Sequence, residues 1–190
     1  LGVSVSFFSY VRKGSTENSV KLGSITFKYT ENSNIGNGIM ITEALPVTDE
    51  VGKIQSGEGK IFDFKVESNL SRSDLEYEIV AQPTENNTIP LDAVKFYLTN
   101  VTDGTEEELL STIGENGKVK TLDKYSDTTI KNATGKTIYQ ETILRNTKGY
   151  LKNFRARMWL REDLDWTDEK YMGKSGAIRI NVYANSDHSM

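Results

Sequence analysis

Ile61-Phe62-Asp63-Phe64-Lys65-Val66-Glu67-Ser68 alternates without a break. Phe62, Phe64 and Val66 fall on one face, and Asp63, Lys65 and Glu67 on the other. A period of two marks a half-buried strand; a helix would scatter these apolar residues around its axis. The same pattern recurs toward the C-terminus. Leu75, Tyr77, Ile79 and Ala81 alternate with Glu76 and Glu78, and Val94, Phe96 and Leu98 with Lys95, Tyr97 and Thr99. A weak strand is expected over Val119 to Leu122 and a longer one over Lys136 to Leu144. Phe154, Ala156, Met158 and Leu160 oppose Arg155, Arg157 and Trp159, and Ile178, Ile180 and Val182 oppose Arg179, Asn181 and Tyr183. Toward the N-terminus, strands are read over Ser24 to Tyr29 and Ile39 to Ile41, and Leu1, Val3, Val5 and Phe7 alternate with Gly2, Ser4 and Ser6.

About ten strands at these spacings predict an all-β chain, a single antiparallel Ig-like or jelly-roll sandwich with long loops. The best helix signal is Thr105 to Ile113, where Glu106, Glu107 and Glu108 suit the positive end of a short helix. The segment from Leu45 to Lys60, with Pro46 and its glycines, reads as a loop. No linker or repeat divides the chain. The organisation expected is an N-terminal strand over residues 1–13, a sandwich domain over 14–185 and a tail over 186–190.

Composition narrows the chemistry. The 190 residues are 36% hydrophobic and 26% charged, which suits a packed globule. The net charge of -4 argues against a nucleic-acid partner, which calls for a basic face. No apolar run reaches the ~20 residues of a membrane-spanning helix, so no membrane span is expected. Cysteine is absent and His188 is the single histidine, which removes thiol chemistry and multi-histidine metal sites. The expectation is a protein that binds or builds, without enzymatic activity or a cofactor. The chain begins at Leu1 rather than methionine, so either it is a trimmed piece or an N-terminal segment was removed by processing; the second case implies export, and an extracellular or cell-surface location is expected.

Several groups of residues invite a functional reading. Asp163, Asp165 and Asp168 are spaced so that they could offer oxygens to calcium, yet the order of an EF-hand loop is missing and a solvated acidic turn is expected. The many carboxylates raise a glycosidase reading, but most belong to the polar faces of strands. Trp159, Trp166, Tyr171 and Tyr183 are candidate sugar platforms, set against ordinary packing in a sheet. Asn69, Asn86, Asn100 and Asn132 open Asn-x-Ser/Thr sequons, which chance explains in an Asn- and Thr-rich chain. Gly36-Asn37-Gly38 and Gly57-Glu58-Gly59 lack the Gly-Lys-Ser/Thr of a phosphate cradle.

The first segment has two readings. Leu1, Val3, Val5 and Phe7 suit an ordinary first strand, and equally a donor strand that completes a neighbouring subunit by β-augmentation. Phe7-Phe8-Ser9-Tyr10, Asn18-Ser19-Val20 and Leu22-Gly23-Ser24-Ile25-Thr26-Phe27 together resemble the start of mature TasA/camelysin-type proteins of Gram-positive bacteria. The resemblance implies an exported subunit of an extracellular filament or biofilm-matrix fibre, a head-to-tail homopolymer assembled through N-terminal donor strands. The alternative is a secreted carbohydrate- or surface-binding β-sandwich module. A phage or virus surface protein is a third reading.

Overall fold

The structure, a computed structural model, describes residues 7–8, 18–22, 25–31, 38–41, 46–56, 60–70, 72–165 and 167–186. Among them run eleven strands: β1 (Phe7–Phe8), β2 (Asn18–Leu22), β3 (Ile25–Glu31), β4 (Gly38–Ile41), β5 (Ile61–Asn69), β6 (Leu75–Pro83), β7 (Val94–Asn100), β8 (Glu107–Glu108), β9 (Lys136–Ile143), β10 (Tyr150–Leu160) and β11 (Gly176–Ser186). One short helix, α1 (Asp49–Lys53), lies between β4 and β5.

The strands form two antiparallel sheets. One follows the order β1-β11-β6-β9, with β4 also paired to β11; the other runs β2-β3-β5-β10-β7-β8. Consecutive strands often lie in different sheets: the chain changes sheet from β5 to β6, β6 to β7, β9 to β10 and β10 to β11. The antiparallel sandwich expected from the alternation is therefore what the chain builds.

Register explains why the alternation reads so cleanly. Phe64 stands opposite Phe154 and Phe62 opposite Ala156, while Met158 faces Phe96 across the next pair. Their side chains enter one core with Leu75, Tyr77, Ile79, Ile178, Ile180 and Val182 from the other sheet. Phe64 and Phe154 stack with ring centroids 5.2 Å apart. A one-residue slip would turn this whole set out to solvent, so burial fixes the register. β9 carries an irregularity: Ile79 pairs with Tyr139 and Val80 with Thr137, which leaves Ile138 as the extra residue of a bulge.

Two local expectations fail. Thr105 to Ile113 is not a helix; it forms β8 and a single 3-10 turn at Leu110–Thr112. The glutamates are drawn to the outer face of the second sheet, where Glu106 meets Arg157 and Glu108 meets Tyr97 and Lys53. These tertiary contacts outweigh a weak local propensity. The 45–60 segment, read as a loop, contains α1, whose first turn is capped by Thr48 accepting from the Val51 amide at 3.4 Å. The weak strand at 119–122 is reduced to the isolated bridges Ile113↔Val119 and Lys95↔Thr121.

Phe7 and Phe8 pair with Asn185 and Ala184 of the same chain. Leu1, Val3 and Val5, the other donor-strand residues, lie outside the described residues, as do His188 and most of the expected tail. Among the described residues no helix is long and apolar enough to cross a membrane.

Candidate functional site

A cleft of about 750 Å³ opens beside the second sheet. One wall is the turn that follows the 3-10 segment. Ile113 and Val119 bridge, and between them the Gly117 amide donates to the Gly114 carbonyl at 2.9 Å. Gly117 has φ +74, so a side chain there would be strained. The Asn116 Oδ1 accepts from the Lys118 amide at 3.0 Å and tightens the turn further.

Beyond the turn the chain is extended, so alternate residues part. Val119 turns inward onto Tyr97 and Trp159. Lys118 and Lys120 line the cleft on either side of it, with Lys124 further on. The strand-like path is held by the Lys120 amide donating to the Thr112 carbonyl at 2.9 Å and the Phe96 amide donating to the Lys120 carbonyl at 3.2 Å. The loops that form the cleft thus hang on β7, a rigid core strand.

The opposite wall is the corner after β10, with Arg161, Glu162 and Asp163. The Arg161 amide donates to the Ala93 carbonyl, its Nε donates to the Asp92 carbonyl at 3.0 Å, and its guanidinium meets Asp163 at 2.7 Å. The hydrogen bond from Arg161 holds the Asp163 carboxyl below its usual range. Lys95 also lines the cleft, but its ammonium is tied to Asp49 at 2.5 Å, with both side chains largely buried. Asp49 uses its second oxygen to accept from the Val119 amide at 2.8 Å, which fastens α1 to the wall of the cleft.

The lysines on the outer wall are less engaged. Lys118 reaches Glu162 at 3.4 Å with its side chain 61% exposed, and Lys124 reaches Asp123 at 3.4 Å with its side chain 70% exposed. Lys120 sits over the Tyr125 ring, 5.2 Å from its centroid, and donates to the Ser111 carbonyl at 2.8 Å. Pairs this exposed contribute little to stability and are readily exchanged for a ligand.

A second polar cluster lies at one end of the core. Glu141 accepts from the hydroxyls of Tyr77, Tyr139 and Tyr150 at 2.8, 2.9 and 2.5 Å, and from Lys152 at 2.9 Å. Burial alone would raise the Glu141 pKa, but the hydrogen bonds from Tyr150, Lys152, Tyr77 and Tyr139 outweigh it and hold the carboxyl below its usual range. Burial pushes the Tyr77 hydroxyl well up, so it stays protonated and donates. The group ties β6, β9 and β10 together.

The residues singled out from sequence are dispersed. Asp163 is held by Arg161, Asp165 accepts from the amide and hydroxyl of Thr167, and Asp168 accepts from the Lys170 amide. Each carboxylate is used locally, and among the described residues no three His, Cys, Asp or Glu side chains gather as a metal site would require. Trp159 and Tyr183 are 2% and 3% exposed, so neither offers a face to a sugar. Trp159 packs edge-on against Tyr97 and lies beneath Gly52 of α1, while the neighbouring arginines go to Asp63 and Glu106. Tyr171 is half-buried, with its hydroxyl on Asp92 at 3.1 Å, and Trp166 lies outside the described residues. The cleft was not read from sequence. Its signal was there in the Asn116-Gly117 turn followed by Lys118, Lys120 and Lys124.

No protein-family model matches this sequence, and no curated protein is similar to it. Among solved structures, the chain is similar to the K1 cleaved adhesin domain of Lys-gingipain from Porphyromonas gingivalis W83. The identity is 10%, the match covers 98% of this chain and 92% of that one, and the TM-score is 0.25.

Proposed function

We propose that this chain is a non-catalytic β-sandwich module that acts outside the cell and binds a carbohydrate or another surface polymer. One observation carries the reading: a cleft of about 750 Å³, lined by polar side chains on loops that hang from a rigid core strand. Loops fixed on a stable sheet are the usual place for recognition, because the scaffold holds their geometry while their sequence varies. Binding to an array of bacterial surface and matrix glycans tests it. Saturable binding is expected, and Glu115→Trp, which fills the cleft from its exposed rim, should weaken it at least tenfold. Retention of nothing on the array would remove the reading.

A second reading, a filament subunit, draws on the TasA/camelysin resemblance and on one feature of the topology. β1 is an edge strand, joined to β11 through the pairs Phe7↔Asn185 and Phe8↔Ala184. A short edge strand offers unpaired backbone groups that another copy can meet, and a head-to-tail exchange propagates as a fibre. Negative-stain electron microscopy of the chain tests this, with open fibres as the supporting result.

A further inference from the structure

We propose that the cleft between the 113–121 turn and the Arg161–Asp163 corner binds an anionic glycan, a saccharide chain bearing carboxylate or phosphodiester groups. This rests on the binding-module reading and names the ligand class of the same site. Charge is the first argument. Five cations, Lys95, Lys118, Lys120, Lys124 and Arg161, line the cleft with Glu115, Glu162 and Asp163, while Asp49 and Asp123 pair with Lys95 and Lys124 from beside it. The charges balance in sum, so what counts is which cations a ligand can reach.

Availability is the second argument. Lys95 and Arg161 are neutralised by Asp49 and Asp163 at 2.5 and 2.7 Å. Among the described residues, Lys118 and Lys124 pair with Glu162 and Asp123 alone, each at 3.4 Å. Lys120 gives one hydrogen to a neutral carbonyl and rests on an aromatic ring, and among the described residues its charge is not met by a carboxylate. Three ammonium groups along one wall can therefore engage successive anionic groups of a polymer. Among the described residues, none that lines the cleft is aromatic, and Trp159 and Tyr183 are buried elsewhere. A neutral sugar is held largely by stacking on such faces, whereas an anionic one is held by charge-assisted hydrogen bonds.

Titration calorimetry of the chain tests the proposal with three probes: tetragalacturonate, a phosphodiester-linked hexose tetramer and neutral cellotetraose. Binding to at least one anionic probe is expected, with cellotetraose at least tenfold weaker. Raising salt from 20 to 200 mM should weaken the anionic probe tenfold or more. Lys118→Gln with Lys124→Gln, both on exposed side chains, should weaken it about tenfold, and adding Lys120→Gln should abolish it. Lys131→Gln with Lys148→Gln, exposed and outside the cleft, should leave it unchanged. The stronger of the two anionic probes tells carboxylate from phosphodiester. Preference for cellotetraose, blocked by Glu115→Trp, would overturn the anionic class and keep the module. Tighter binding to a DNA duplex than to either anionic probe would also overturn it. Silence with all three probes, in a chain whose thermal melt is cooperative, would overturn the anionic class, and the glycan array then decides the module.

Discussion

At the scale of single residues, close approach decides more than propensity does. Gly52 lies within α1, where alanine would ordinarily gain about 1 kcal/mol over glycine. Here a Cβ would stand 2.2 Å from the Trp159 indole carbons Cδ2 and Cε2. The ring is buried against Tyr97 and Val119 and has nowhere to go. Gly52→Ala should therefore lower stability by about 1–3 kcal/mol, the range for overpacked cores, in urea unfolding. A gain would mean that α1 lifts freely from the sheet. Glu141 gives a second, pH-resolved prediction. Its folded carboxyl titrates below the ordinary value of 4.5, so its contribution is complete above that value and is lost as pH falls through the folded one. Glu141→Gln should cost about 1–3 kcal/mol at pH 7, as expected for hydrogen bonds to a charged group. The gap to the wild type should narrow as pH falls below 4.5 through the folded titration of Glu141, where both side chains become neutral. A gap of constant size would show that the network does not use the carboxylate charge. Neither effect was legible in the sequence. Alternation puts Trp159 on the polar side of β10, and only the path of α1 shows that this side is covered.

At the scale of elements, the sequence was most readable where one force acts. β5 buries one face alone, and in β6, β7, β10 and β11 the alternation names the residues of the shared core but misses the burial of the opposite face, where Lys95, Tyr97, Arg157, Trp159 and Asn181 are also covered. It failed at 105–113, where local and distant forces disagree. Three consecutive glutamates favour a helix start in isolation, but the outer face of the second sheet presents Arg155 and Arg157 to them and α1 presents Lys53. Arg157 is the key partner, since its side chain is 5% exposed and its Nε already donates to the Gln55 carbonyl. Glu106→Ala would leave that guanidinium buried without its carboxylate. A loss of about 2–4 kcal/mol is expected, toward the low end because Glu106 itself is 35% exposed. The double change Glu106→Met with Arg157→Met should recover most of it, since an apolar pair carries no desolvation cost. Equal stability of the single and double variants, compared by urea unfolding, would show that the pair does not anchor β8. The cleft escaped sequence reading for a related reason. Lys118 and Lys120 flank a single buried valine where the sequence predicts only a weak strand over Val119 to Leu122, and their wall is formed because Phe96 and Thr112 hold its backbone.

At the scale of the whole molecule, the fate of the first strand separates the two functional readings. Alternation cannot separate them, because a kept strand and a donated strand bury the same residues. The register adds one term: within a single chain, Phe7 and Phe8 already pair with Asn185 and Ala184 on the edge of β11. For a donated strand this pairing must open and re-form between copies, and the energy of the two pairings nearly cancels. The balance then rests on concentration and on the entropy of the exchanged segment, so a short and weakly held pair leaves the choice to solution conditions. The binding-module reading predicts that the chain is monomeric by light scattering at micromolar concentration. Removal of residues 1–8 should then lower the unfolding midpoint by a few degrees, about what the loss of 1 kcal/mol costs a domain of this size. The mass in solution should not change, and glycan binding in the cleft should persist, since the cleft lies on the other sheet. Fibres from the full chain that vanish on this truncation would instead make β1 the joint of a polymer. The cleft would then recur along the filament once per subunit, and an anionic glycan would bind it with the avidity of a repeated site.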